Sequence, residues 1–279
     1  MSSPSRVAVV TTAHGRHEHL RRQRRSLVAG VRLPDLHVVV AMDDPDLAEV
    51  VAEEPLPTLV VAVDGDERGL PLARARNTGM ARAAAEGCDV LVGLDVDCLA
   101  GPNLVTGYAD AVRSGPRTVW SGPVTYLPPG VLPLDAGEMA ALDSPHPARP
   151  APRAGERSDR GDPDLFWSLS YAVSAAAWRE LGGYHEEYVG YGCEDTDLGR
   201  TVVARGLGLG WTGDARAYHQ HHPVSDPPVE HLDALLRNAR TFHARWGEWP
   251  ARGWFGAFEA LGLVRRAGEG WESVTRAPV

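Results

Sequence analysis

Residues 90–99 read Val-Leu-Val-Gly-Leu-Asp-Val-Asp-Cys-Leu (VLVGLDVDCL). Five apolar or small residues run straight into Asp95, one valine follows, and then comes Asp97. The apolar run predicts a buried strand. A strand that ends on two carboxylates delivers oxygen ligands to one edge of a sheet. Hard divalent cations take such oxygens, and Mg²⁺ or Mn²⁺ uses one or two of them together with ligand phosphates. The same pair also fits a solvated strand-end turn in which aspartate caps the backbone.

Working outward, further strands read as RVAVVTT (6–12), DLHVVVAMDD (35–44) and TLVVAVDG (58–65), and the opening stretch is the fourth, over 89–97. Helical stretches over 16–30 and 70–87 lie between them, closed by Gly30 and Gly87. Strands alternating with helices predict an α/β fold with a mainly parallel central sheet flanked by helices. Ligands of such sheets bind at the carboxyl ends of the strands. Thr11, Thr12, Asp43, Asp44, Asp64, Asp95 and Asp97 all fall there.

After residue 143 the pattern changes. DSPHPARPAPRAGERSDRGDPD (143–164) is rich in proline, arginine and acid, lacks apolar periodicity, and reads as a mobile loop or lid. A strand over 165–174, a short helix over 175–183, a helix over 193–206 and a strand over 207–222 ending in histidines follow. The expected division is a catalytic unit over 1–222 and a helical extension over 223–279, with its tryptophans packed on the core.

Composition narrows the function. The chain has 279 residues, 43% hydrophobic and 23% charged, with a net charge of -9. That balance argues against nucleic acid as the main partner. No apolar run approaches the ~20 residues that span a bilayer. The run Arg21, Arg22, Arg24, Arg25 reads as a solvated helix face, with weak peripheral membrane contact the lesser alternative. All 28 basic residues are arginine, which removes Schiff-base lysine chemistry and any P-loop lysine. The three cysteines, with no CxxC, read as reduced core thiols of a cytoplasmic protein.

Three further clusters carry chemistry. GGYHEEYVGYGCEDTDLGR (182–200) leads through glycines to Glu194 and Asp195 at a helix start. First-turn acids also simply favour the helix dipole. AYHQHHP (217–223) brings His219, His221 and His222 to a strand end, and alternation puts His219 and His221 on one face. LARARNTGM (72–80) offers Arg74 and Arg76 for phosphate and Asn77 for hydrogen bonding.

In this order the motifs VVTTAHGR, Asp43-Asp44, ARNTG, LDVDCL, GYGCEDTDLGR and AYHQHH resemble those of nucleotide-sugar glycosyltransferases of the GT-A fold, family 2 among them. The resemblance covers residues 6–222. The stretch YAVSAAAWRELGGYHEEYVGYGCEDTDLGR is similar to the carboxy-terminal half of galactosyltransferase and polypeptide N-acetylgalactosaminyltransferase catalytic domains. One departure is Gly-Tyr-Gly-Cys before Glu194, where the animal enzymes usually carry Trp-Gly-Gly.

The resemblance implies a metal-dependent transferase that moves a hexose or N-acetylhexosamine from a UDP-sugar to an acceptor hydroxyl, with inversion. Thr11, Asp43 and Asp44 would hold the uracil and ribose side, and Arg76 and Asn77 would line the nucleotide or sugar pocket. Asp95 would bond the ribose or donor sugar. Asp97 and His219, with His221 as the fallback, would ligate Mn²⁺ or Mg²⁺. Asp195 would be the base, in aromatic surroundings set by Tyr188 and Tyr191, with Glu194 beside it. Trp167 or Trp178 would stack on a sugar of a glycan, lipid-linked or small-molecule acceptor. Two rivals remain: a non-catalytic nucleotide-sugar or glycan-binding module, and a phosphotransferase with Asp95 as nucleophile, which the absence of lysine disfavours.

Overall fold

A computed structural model describes residues 5–132 and 135–274. The strands of the first half are β1 (Val7–Ala13), β2 (Leu36–Met42), β3 (Thr58–Val63), β4 (Val90–Leu94), β5 (Cys98–Ala100), β6 (Thr118–Ser121) and β7 (Val124–Tyr126). Those of the second half are β8 (Arg157–Ser158), β9 (Ser170–Ser174), β10 (Gly208–Thr212), β11 (Ala217–His219), β12 (Val264–Ala267) and β13 (Gly270–Ser273). The helices are α1 (His17–Val28), α2 (Leu47–Val51), α3 (Leu72–Ala85), α4 (Leu104–Ser114), α5 (Ala136–Ala141), α6 (Ala175–Leu181), α7 (Glu194–Ala204), α8 (Leu232–Trp246) and α9 (Arg252–Ala260).

Eight strands form one sheet in the order β3-β2-β1-β4-β9-β6-β10-β8. β3, β2, β1 and β4 run parallel, β9 is antiparallel to both β4 and β6, and β10 returns parallel to β6. The mainly apolar strands β1, β2 and β4 are buried on both faces, as a helix-covered sheet requires. Gly79 lets α3 lie close to the sheet: a Cβ there would sit 2.4 Å from Val10 Cγ1 and 2.8 Å from Val40 Cγ2. Gly93 does the same for Tyr171, whose ring would lie 2.3 Å from an added Cβ. A second sheet, β5-β11-β7, stands at the carboxyl end of the first and carries Cys98 and His219 in register.

Several expectations change. The 207–222 stretch is two strands in different sheets, broken at Gly213–Arg216, because β10 ends in the main sheet and β11 crosses to pair with β5. The 143–164 segment is largely irregular, yet it is stitched to the sheet edge. β8 pairs with β10, Pro145 bridges Thr125, and Gly213 N donates to Glu156 O at 3.0 Å. The arginine run is not wholly solvated, since Arg24 is fully buried. The helices and hairpin after residue 223 share the main core: Leu235, Phe242, Phe255, Phe258 and Trp271 pack in one cluster with residues of β1, β2 and α3. Trp246, Trp249 and Trp254 lie against that cluster. All three cysteines are buried and free. Among the described residues, no helix is long and apolar enough to cross a membrane.

Candidate active site

The turn after β4 gathers the site. Asp95 N donates to Leu169 O at 3.0 Å and Cys98 N to Asp95 O at 2.8 Å, so the chain folds back into β5. Gln220 N donates to Asp97 O at 2.7 Å and ties the turn to the end of β11. There Asp97 Oδ2 lies 3.5 Å from His219 Nε2 and 3.3 Å from His222 Nε2. One ligand atom of each of the three lies within 4.8 Å of the others. Burial alone would raise the Asp97 carboxyl, but hydrogen bonds and positive charge from His219 and His222 outweigh it and hold it well below the usual range. One carboxylate and two imidazoles form a donor set able to hold a divalent transition-metal ion. His221 is exposed and stands outside this group. Strand alternation pointed to His221, but the chain leaves the strand after His219 and turns His222 inward instead.

Asp95 faces the opposite partner. Arg76, on the buried face of α3, donates Nη2 to Asp95 Oδ1 at 3.0 Å and Nη1 to Glu194 Oε1 at 2.9 Å. One guanidinium therefore joins the turn after β4 to the start of α7. Burial raises the Asp95 carboxyl above its ordinary value, with the Arg76 charge opposing the shift. The second Glu194 oxygen, Oε2, is buried and has no hydrogen-bond partner among the described residues. Such an atom is costly unless a ligand or water meets it.

Cys193, in the left-handed conformation at φ 78°, turns the chain into α7. Glu194, Asp195 and Asp197 then occupy the first helical turn. Asp195 Oδ1 accepts from Thr196 N at 2.7 Å. Burial, then the neighbouring Glu194 charge, lifts its carboxyl to about 7 against the Thr196 backbone hydrogen bond and the Arg76 charge. Asp197 is structural: it accepts from Arg245 Nε and Trp246 Nε1, each at 2.7 Å, and from Tyr188 OH at 3.1 Å. The hydroxyl of Tyr188 thus serves Asp197 rather than Asp195.

Other expected contacts sort differently. Thr11 is fully buried in the sheet between Gln23 and His37, out of reach of any ligand. Asn77 is committed to the loop before α7, exchanging hydrogen bonds with the Tyr184 backbone at 2.8 and 2.9 Å. Trp178 is a core residue packed on Tyr184. Trp167 is half-buried, and its ring meets His146, which meets Tyr126, which stacks on His219 at 4.7 Å. It therefore belongs to an aromatic wall running to the Asp97–His219–His222 cluster. Asp44 accepts from Gly15 N at 2.7 Å and pairs with His17 at 2.9 Å. Burial would raise its carboxyl, but these two partners hold it below the usual range. Asp43 is exposed at φ 46°, its carboxylate lying over Gly65, where a Cβ would come within 1.9 Å of Oδ2.

No protein-family model matches the sequence. Validoxylamine A glucosyltransferase of Streptomyces hygroscopicus subsp. limoneus is 27% identical over 227 residues, 72% of this chain. The chain spans about half the length of that relative, 48%. Among solved structures, GalNAc-T7 with UDP, GalNAc and Mn²⁺ superimposes with a TM-score of 0.59 at 16% identity, over 78% of this chain and 44% of that one. Staphylococcus aureus TarS (1–349) with UDP-GlcNAc gives a TM-score of 0.61 at 11% identity, over 85% and 66%. The chain accordingly has the GT-A fold of these glycosyltransferases, with a large, mostly parallel sheet flanked by helices.

Proposed function

We propose that the protein is a metal-dependent glycosyltransferase that moves a hexose or N-acetylhexosamine from a UDP-sugar to an acceptor hydroxyl with inversion at the anomeric carbon. The observation that carries this reading is the Arg76 bridge. It makes one site of the Asp95–Asp97 turn and the Glu194–Asp195 helix start. The relatives support a UDP-sugar donor, since GalNAc-T7 and TarS bind UDP or UDP-GlcNAc and the sequence relative is a glucosyltransferase.

In this reading Asp97, His219 and His222 hold Mn²⁺, or Mg²⁺ less readily given two imidazoles. A divalent cation there supplies neutralisation of the charge that develops on the departing diphosphate. Asp43 lies free for the nucleotide, Asp44 shapes the loop beside it, and Asp95 with Arg76 orients the donor sugar. Asp195 takes the proton of the acceptor hydroxyl as its oxygen bonds to the anomeric carbon and the bond from that carbon to the diphosphate breaks. A carboxyl at about 7 is well poised for this role. Glu194 Oε2 accepts from a substrate hydroxyl, Trp167 faces the acceptor, and the His146–Arg149 part of the 143–164 segment closes over it.

The test is UDP release from UDP-glucose, UDP-galactose, UDP-GlcNAc and UDP-GalNAc, with Mn²⁺ and with EDTA. Metal-dependent release from at least one donor is expected. Absence of release together with intact UDP binding would reduce the protein to a binding module.

A further inference from the structure

Beneath the site runs a chain of buried polar groups that none of the proposed chemistry uses. Gln23, on α1, is fully buried. Its amide nitrogen donates to Asp95 O at 2.7 Å and to Cys98 O at 3.1 Å, the two carbonyls that bracket Asp97. Ser26, three residues on, accepts from Ala100 N at 2.8 Å while donating to Gln23 O at 2.6 Å. One face of α1 therefore ends on the backbone that presents Asp97.

The chemistry of the groups gives this chain one direction. Arginine only donates. Arg24 Nη1 lies 2.9 Å from His37 Nδ1, so that nitrogen is bare and the ring proton sits on Nε2. His37 Nε2 donates to Thr11 Oγ1 at 3.1 Å. The Thr11 hydroxyl then donates to Gln23 Oε1 at 2.9 Å. With its oxygen held there, the Gln23 amide can turn only its NH₂ toward the turn. Arg24 is itself fixed by the carbonyls of Val51 at 2.7 Å and Glu54 at 3.1 Å and by Thr58 Oγ1 at 2.9 Å. Buried hydrogen-bond networks rigidify what they touch, and here each group from the Arg24 Nη atoms to the Gln23 amide has its partner, with only Arg24 Nε left without one among the described residues.

We infer that Gln23 is a positioning residue that fixes the backbone of the Asp95–Cys98 turn and so aims Asp97, with Arg24, His37 and Thr11 setting the orientation of its amide. The metal part of this inference rests on the reading of Asp97 as a ligand; the clamp on the turn does not. Removing groups that orient a metal ligand typically weakens metal affinity about 10- to 100-fold.

The experiment compares Gln23→Met, Thr11→Val and Thr11→Ser with the parent protein. Gln23→Met keeps length and loses the bonds, Thr11→Val keeps shape and loses the hydroxyl, and Thr11→Ser keeps the hydroxyl. Amide hydrogen exchange without metal is read at residues 95–100 and across β2 and β3. Mn²⁺ is then titrated in the presence of UDP. The clamp predicts exchange at 95–100 faster by about tenfold or more in Gln23→Met, with β2 and β3 unchanged, and Mn²⁺ affinity lower by about tenfold. Thr11→Val follows in the same direction and Thr11→Ser matches the parent. Should Gln23→Met not fold, the Thr11 pair carries the same comparison. Exchange at 95–100 that is unchanged, or that rises only in step with the whole sheet, overturns the inference. Failure of the parent to bind Mn²⁺ would count against the metal reading, and the exchange data would still decide the clamp.

Discussion

Arg76 Nη1 meets Glu194 Oε1 at 2.9 Å across 118 positions of chain. The same guanidinium reaches Asp95, and the three side chains are only 11%, 8% and 25% exposed for Arg76, Glu194 and Asp95. Removing the cation from two mostly buried carboxylates leaves both uncompensated. Arg76→Met should therefore lower stability by about 3–5 kcal/mol. Arg76→Lys should lose less, keeping the charge but not the fork that serves two acceptors. Urea midpoints measure both, and a Met variant as stable as the parent would mean that solvent already screens the cluster.

In the proposed reading Asp195 is the base and sets the pH profile of turnover. A base works ionised, and this carboxyl sits at about 7. kcat/KM should be level above that value and fall about tenfold per pH unit below it. Asp195→Asn should reduce turnover by about 10²–10⁴-fold and leave UDP affinity alone. An Asn variant with near-normal turnover and only a lowered Tm would leave Asp195 a helix-start acid and turn attention to Glu194.

His37 makes the fold acid-sensitive. Burial first, then the Arg24 charge, lowers its value from 6.5 to about 3. Between those values the unfolded chain binds a proton that the folded chain refuses. The stability contribution is thus fully present above 6.5 and is lost as pH falls toward 3. The loss approaches about 1.4 kcal/mol per pH unit inside that window. Chemical denaturation of His37→Gln between pH 4 and 6 should give a flatter slope than the parent; parallel slopes would show that the unfolded chain gains nothing from this histidine.

His222 and His221 separate cleanly. His222 lies 3.3 Å from Asp97, while His221 points to solvent. His222→Ala should weaken Mn²⁺ binding by about 10–100-fold, and His221→Ala should leave it unchanged. Mn²⁺ titration followed by electron paramagnetic resonance reads both, and the reverse ranking would restore the alternation argument.

The sheet was legible because β1, β2 and β4 are short, mainly apolar, β-branched runs ending in polar residues and separated by helical stretches, a pattern that fits strands covered on both faces. Asp95, Asp97 and His219 were legible for the same reason, as polar ends of apolar strands. His222 was not, because side-chain alternation stops where the strand does. Gln23 and Arg24 were hidden by their company: among four arginines in five residues they read as a solvated face, yet both are fully buried. Thr11 looked like a strand-end ligand, but it lies two residues before the end of β1 and faces the core. The Arg76 bridge could not be read from sequence, since it depends on α3 and α7 meeting over the end of β4.

The central claim is that a divalent metal at Asp97 joins a uridine diphosphate to this site, and calorimetry of UDP binding tests it most directly. Titrations with Mn²⁺, with EDTA, and with Mn²⁺ on Asp97→Ala should give binding in the first case alone, with the variant keeping its Tm. UDP bound equally well in EDTA, or by Asp97→Ala, would contradict the account.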